Sequence, residues 1–215
     1  ILAAGEGTRL RPLTTNIPKP LLTVAGRPYL AHLVQALGDA GIKEQVILVG
    51  WKANRVKEFF GDGRRMGVEL SYLEQKERLG TANAVGVAEE VMDGDFVCVN
   101  GDVVMPPEAV AEMVSAFQKD HQPFMGAVEV PEPQRFGVVQ HEAGRLVQII
   151  EKPAVPPSRL INGGFFGLNT EVFDHIRRTG RSPRGEYEFT DTLNMMAAQT
   201  DIAVRKIKGE WMDVG

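Results

Sequence analysis

The sequence predicts an α/β fold with a mixed, mainly parallel sheet. Three observations carry that prediction. Short continuous apolar runs, at residues 45–50 and 95–99, have the length and composition of strands covered on both faces. Stretches of helical periodicity lie between them, so strand and helix alternate through the first half, as right-handed crossovers in a parallel sheet require. The first apolar run, residues 1–4, breaks directly into Gly5-Glu6-Gly7, a strand opening into a loop.

Taken in order, residues 1–4 read as a buried strand. Residues 28–40 place Leu30, Leu33, Val34 and Leu37 on one helix face, and Gly41 supplies a stop. Residues 45–50 are a strand, 53–60 a helix ending at Gly61-Asp62-Gly63, and 68–75 a strand. Residues 81–91 carry a helical pattern, and the strand at 95–99 ends at Asn100-Gly101-Asp102. Pro107 opens a helix over 107–118. The second half changes style, with short strands at 124–130, 137–141 and 146–151. His141-Glu142-Ala143-Gly144-Arg145 between the last two has the length and glycine content of a hairpin loop. Residues 160–168 are apolar and glycine-rich, 171–178 and 189–198 read as helices, and 202–207 as a late strand. Pro153-Ala154-Val155-Pro156-Pro157 reads as an exposed loop. No internal repeat, low-complexity tract or coiled coil interrupts the chain, so a single domain over 1–215 is expected. Its abrupt ends lead us to expect residues missing at both, with a further C-terminal domain left open.

Composition narrows the function classes. At 215 residues with 43% hydrophobic and 24% charged residues the chain resembles an ordinary globular protein. A formal net charge of −4 gives no bulk basic field for nucleic acid. Any anionic ligand must therefore meet locally placed Arg and Lys. No apolar run is long enough to span a bilayer, and no signal peptide is evident, so no membrane partner is expected. Cys98, the only cysteine, sits in an apolar run and reads as a core residue. A chain without disulfides fits a reducing, cytoplasmic setting.

The chemistry concentrates at the start. Gly5 and Gly7 allow backbone amides to converge on an anion, and Thr8, Arg9, Arg11 and Lys19 follow at once. This reads as a nucleoside-triphosphate site. A third glycine and the acid of a dinucleotide fingerprint are missing, which argues against an oxidoreductase. The Gly-Lys-Ser/Thr of a Walker loop is missing too. Asp102, on a glycine turn after a buried strand, is placed either as a turn former or as a ligand for Mg²⁺. His32, His121, His141 and His175 are scattered without metal-ligand spacing and read as surface or helix-face residues. No Ser–His–acid order stands out. Arg11 divides evenly between ligand contact and a structural role, and Trp51 reads as a surface or interface residue.

Leu2-Ala3-Ala4-Gly5-Glu6-Gly7-Thr8-Arg9-Leu10-Arg11-Pro12-Leu13-Thr14 with Pro18-Lys19-Pro20-Leu21 resembles the sugar-1-phosphate nucleotidyltransferases, and the likeness continues in order along nearly the whole chain. The resemblance implies a Rossmann-like three-layer sandwich. It implies a nucleotide held at Leu2, Ala4, Gly5, Gly7, Thr8 and Arg9, with Arg9 on the triphosphate and Lys19 at the α-phosphate. Gln75, Gly80 and Thr81 correspond to the base pocket; a Gln amide suits the imide edge of uracil or thymine, and Thr81 is also placed to cap a helix. On the sugar side the resemblance implies Gly137, Glu151, Lys152 and Asn162. Phe136 stands where many members carry Tyr, which puts one hydroxyl contact in doubt. Asp191 reads as structural. Mg²⁺ is implied on Asp102 and Asp213, the latter in Trp211-Met212-Asp213-Val214-Gly215.

The implied reaction is an in-line displacement at the α-phosphate by a sugar 1-phosphate, favouring UTP or dTTP with glucose 1-phosphate or N-acetylglucosamine 1-phosphate. Arg9, Lys19, Asp102 and Lys152 are the expected catalytic residues, lowering the repulsion between two polyanions. A mannose-1-phosphate guanylyltransferase using GTP is the alternative substrate reading. A regulatory relative that binds nucleotide sugars without turnover is the alternative class, disfavoured because Arg9, Lys19 and both acids are present. A homo-oligomer is compatible with the sequence, which does not fix the oligomeric state.

Overall fold

The computed structural model describes residues 1–77 and 79–214. Along the chain run β1 (Leu2–Ala3), β2 (Thr23–Val24), β3 (Arg27–Pro28), α1 (Tyr29–Asp39), β4 (Glu44–Val49), α2 (Ala53–Phe60), β5 (Glu69–Glu74), α3 (Thr81–Gly86), β6 (Phe96–Val99), β7 (Val103–Val104), α4 (Pro107–Asp120), β8 (Phe124–Glu129), β9 (Gly137–Glu142), β10 (Arg145–Glu151), β11 (Leu160–Leu168), α5 (Glu171–Arg178), α6 (Phe189–Ala197), β12 (Ala203–Lys206) and β13 (Met212–Asp213). The fold is α/β with a parallel sheet. One element is shorter than its pattern suggests: α3 stops at Gly86, and Glu89–Val91 form a separate 3-10 turn. Gly86 and the β-branched Val87 are poor helix formers, and so end the run.

The chain divides into two compact units. One comprises Ile1–Glu77, Val99–Ser115 and Gly209–Gly215, the other Arg78–Cys98 and Ala116–Lys208. In the first, β1, β4 and β5 form a parallel sheet in that order. Ala3 pairs with Val49, and Val49 with Glu74. On the free side of β1, Asn100 bridges Leu2 in the parallel sense, and Gly101 donates its N–H to the Leu2 carbonyl at 2.8 Å. Successive segments thus add on one side of β1 and then on the other. A parallel sheet opens a ligand crevice at such a reversal, beyond the carboxyl ends of its strands. Helix α1 buries Leu30, Leu33, Val34 and Leu37, the face its periodicity predicts, and Ile47, Leu48 and Val49 of β4 are buried.

The second unit holds a six-stranded mixed sheet ordered β6-β11-β8-β12-β10-β9, with a further pairing of β11 to β9. Here β12–β8 is parallel, whereas β11–β8, β10–β12 and β9–β10 are antiparallel. Connection length explains the change. Ala143 and Gly144, at φ 48° and 81°, form a two-residue turn between β9 and β10, and so short a link joins only antiparallel neighbours. Phe124, Phe165, Phe166, Leu168, Leu193 and Met196 are fully buried in this unit. Cys98 is also buried, as expected of a core thiol, and burial pushes it up to about 11. Among the described residues no helix is long and apolar enough to cross a membrane.

Candidate functional site

The glycine loop after β1 is shaped by three local ties. Gly7 adopts φ 66°, a left-handed conformation that glycine takes without strain, and opens a 3-10 turn at Thr8–Leu10. A Cβ on Gly7 would stand 3.1 Å from side-chain carbons of both Lys19 and Thr14, so the loop lies flat on them. The buried Thr14 donates its hydroxyl to the Gly7 carbonyl at 2.7 Å. Arg11 forms an ion pair with Glu6 at 2.5 Å, which gives it a bracing role. Arg9, between these ties, is exposed and makes no hydrogen bond or ion pair with any described residue.

Lys19 has the opposite environment. Prolines on either side restrict its backbone, and the residue is 8% exposed, yet its Nζ donates to Asp102 Oδ2 at 2.8 Å. Asp102 follows the Asn100-Gly101 turn at the carboxyl edge of the parallel sheet. Asp213 joins it through a short antiparallel ladder: Asp213 pairs with Val103, and Val214 donates its N–H to the Asp102 carbonyl at 2.9 Å. The glycine loop, Lys19, Asp102 and Asp213 line one cavity of about 240 Å³. Of the residues expected to hold a nucleotide, Leu2, Gly5, Gly7, Thr8 and Arg9 line this cavity, whereas Ala4 is buried. Gln75 follows β5, level with Gly50 at the same edge, its N–H bound to the Val49 carbonyl at 2.9 Å.

The donor set is compatible with a hard cation. Asp102 keeps 39% of its side chain exposed beside the cavity, and Asp213 is exposed. Among the described residues no group of three or more His, Cys, Asp or Glu could hold a metal. A cation here would therefore take two carboxylates and complete its shell with ligand oxygens and water, the usual habit of Mg²⁺.

The residues expected on the sugar side come together in the second unit through strand register. Gly137 pairs with Glu151 across β9 and β10, and Ile161 of β11 pairs with Val138, which sets Asn162 one step along, beside Gly137. A Cβ on Gly137 would lie 3.1 Å from the Glu151 carboxylate. Glu151 is bracketed by Lys152 at 3.9 Å and Arg184 at 3.4 Å, and Arg184 also binds the buried Glu188 at 2.9 Å. The Asn162 Oδ1 accepts the Gly164 N–H at 2.9 Å. Burial raises the Asp191 carboxyl, with Glu188 adding to the effect.

Gly80 and Thr81 also belong to this unit, and their local constraints come from the protein itself. Gly80 sits at φ 119°, and a Cβ there would meet the Tyr187 carbonyl oxygen at 2.4 Å. The Thr81 hydroxyl accepts the Phe189 N–H at 2.8 Å, capping the start of α6 instead of its own helix. Sequence reasoning missed the placement of three residues, the first two of them at the clusters above. Tyr29 lines the cavity while 2% exposed; its signal was a lone polar tip on an otherwise apolar helix face. Arg184 carried no signal separate from other surface arginines. His175 is buried on α5 with Nδ1 lacking a partner among the described residues, and burial lowers its pKa.

A family model described as Nucleotidyl transferase matches residues 1–215. The bifunctional protein GlmU of Methanocaldococcus jannaschii is 33% identical across the whole of this chain, which spans 50% of that relative's length. The UTP–glucose-1-phosphate uridylyltransferase AglF of Haloferax volcanii is 34% identical, with 100% of this chain and 90% of the relative covered. A Bacillus anthracis structure assigned as a glucose-1-phosphate thymidylyltransferase, solved with sucrose, superposes with a TM-score of 0.90 at 30% identity over 99% of this chain and 87% of its own.

Proposed function

Because the chain belongs to the nucleotidyl transferase family, we propose that it moves a nucleotidyl group from a nucleoside triphosphate to a sugar 1-phosphate and releases pyrophosphate. The observation that carries this reading is one cavity lined by a glycine loop, an Arg9 with no partner among the described residues, a buried Lys19 and two acids from distant parts of the chain. In the reaction an oxygen of the sugar phosphate bonds to the α-phosphorus while the bond to the bridging oxygen of the β-phosphate breaks. No covalent enzyme intermediate is required, because the nucleophile is already an anion.

Arg9 has its donors available for the triphosphate and the departing pyrophosphate. Lys19, desolvated and held by Asp102, presents a fixed positive charge to the α-phosphate. In the second unit Glu151 accepts from sugar hydroxyls, Lys152 balances the sugar phosphate, and Asn162 with the Gly137 backbone orients the ring. Mg²⁺ on Asp102 and Asp213 would supply Lewis-acid neutralisation of phosphate charge. UTP or dTTP with glucose 1-phosphate or N-acetylglucosamine 1-phosphate are the favoured pairs. The Gln75 amide and the activities for which the uridylyl and thymidylyl relatives are named support that choice. A cytoplasmic setting accords with a buried, unpaired cysteine.

The test is pyrophosphate release with Mg²⁺ across UTP, dTTP, GTP, ATP and CTP against glucose, N-acetylglucosamine and mannose 1-phosphates. Release is expected with a pyrimidine triphosphate. No release with any pair would overturn the enzyme reading, and a GTP–mannose 1-phosphate preference would overturn the substrate assignment.

A further inference from the structure

Tyr29 lines the cavity of the glycine loop and has no part in the chemistry above. Packing alone does not call for it. The rest of the buried face of α1 is Leu30, Ala31, Leu33, Val34, Ala36 and Leu37, and a Phe or Leu would fill the first position equally well. A hydroxyl at a cavity wall is a donor left available to a ligand unless the protein itself bonds it. The residue is 2% exposed, and its backbone N–H is bound to the Leu22 carbonyl at 2.9 Å, which fixes the start of the helix. Its hydroxyl forms no hydrogen bond with a described residue, while the charges of Asp102 and Asp213 both act on it. A neutral donor therefore stands near two acids, in a cavity built to receive an anion.

We infer that the Tyr29 hydroxyl contacts the ligand, donating a hydrogen bond to a phosphate oxygen of the bound nucleotide. This deepens the nucleotidyltransferase reading and rests on it. The choice of phenol has a physical reason. An ammonium at this place would bind the carboxylates, as Lys19 already binds Asp102 at 2.8 Å, and would compete with any cation they hold. Tyrosine at neutral pH is uncharged, so it draws in a phosphate oxygen without neutralising the acids.

Isothermal titration of the full chain with UTP or dTTP and Mg²⁺, comparing wild type with Tyr29→Phe, tests the inference. A hydrogen bond to a charged group is worth enough that the variant should bind the triphosphate about tenfold more weakly. Affinity for the matching nucleoside, read by its competition with the triphosphate, should be unchanged, and so should the thermal midpoint. Equal triphosphate affinity in the two proteins would overturn the inference, as would a parallel loss for the nucleoside, which would mark a packing role. Wild type that binds no triphosphate would overturn the parent reading and this inference with it. Wild type that binds tightly, with an unaffected variant, overturns the inference alone.

Discussion

The cluster around the glycine loop in the first unit and the cluster around β9 in the second, proposed to meet phosphate and sugar respectively, hold their charges differently. Around the glycine loop, Lys19 is buried against Asp102, while Arg9 projects with no partner among the described residues. Around β9, the charges are closed on one another: Glu151 lies between Lys152 and Arg184, and Arg184 continues to Glu188. A triphosphate carries several negative charges and rewards a cation held in reserve. A sugar ring offers hydroxyls, which reward paired acceptors and donors held still. The backbones differ accordingly. Loops at the carboxyl ends of parallel strands present amides and flexible cations, while antiparallel register sets side chains at fixed neighbouring positions.

The sharpest way to break this contrast is to remove the two phosphate-side cations separately. Lys19→Ala should lower turnover about 10³-fold, at the upper end of the loss seen when one preorganised donor is removed, and should also lower the thermal midpoint because Asp102 loses its buried partner. Arg9→Ala should lower turnover about 10²-fold with an unchanged midpoint, since Arg9 makes no ion pair or hydrogen bond with a described residue. Identical stability effects in the two variants would erase the distinction between a held cation and a reserve one.

Within the second unit, Gly80→Ala should destabilise by about 2–3 kcal/mol, combining a strained positive φ with overlap on the Tyr187 backbone. Thr81→Val should cost about 1 kcal/mol by uncapping α6, measured by chemical denaturation, with the Michaelis constant for the triphosphate unchanged. A raised Michaelis constant with undiminished stability would instead return Thr81 to the base pocket.

The smallest expected effect concerns His175. Its pKa is lowered in the folded protein, so the folded state binds fewer protons than the unfolded chain as pH falls through the ordinary histidine value. Stability is therefore present above about pH 6.5 and declines below it. His175→Phe should flatten that part of the profile of thermal midpoint against pH; an unchanged slope would assign the decline to other groups.

Much of this was legible in advance. The bounds of α2, β11 and α5 coincide with their sequence patterns, because helix and strand periodicity are local properties of burial. The motif containing Arg9 and Lys19 was legible for a related reason: loop, hydroxyl and cations lie within a few turns of chain. The sequence also marked Gly80, as a close approach to a base; the structure adds a constraint from Tyr187, more than a hundred residues away.

By itself, then, the sequence determined the order of elements, the α/β class, the family and the residue types available for phosphate chemistry. Tertiary structure alone decided which of these meet. The β7–β13 ladder brings Asp213 beside Asp102, the reversal at β1 puts Asp102 on Lys19's ammonium, and the start of α1 adds Tyr29 to the cavity wall. Strand register likewise joins Glu151 to Gly137, and the fold hands the Thr81 hydroxyl to α6. The physical reason is range. Propensity and periodicity act over a few residues, whereas ion pairs, ladders and caps between distant segments exist only after the chain has closed its long loops.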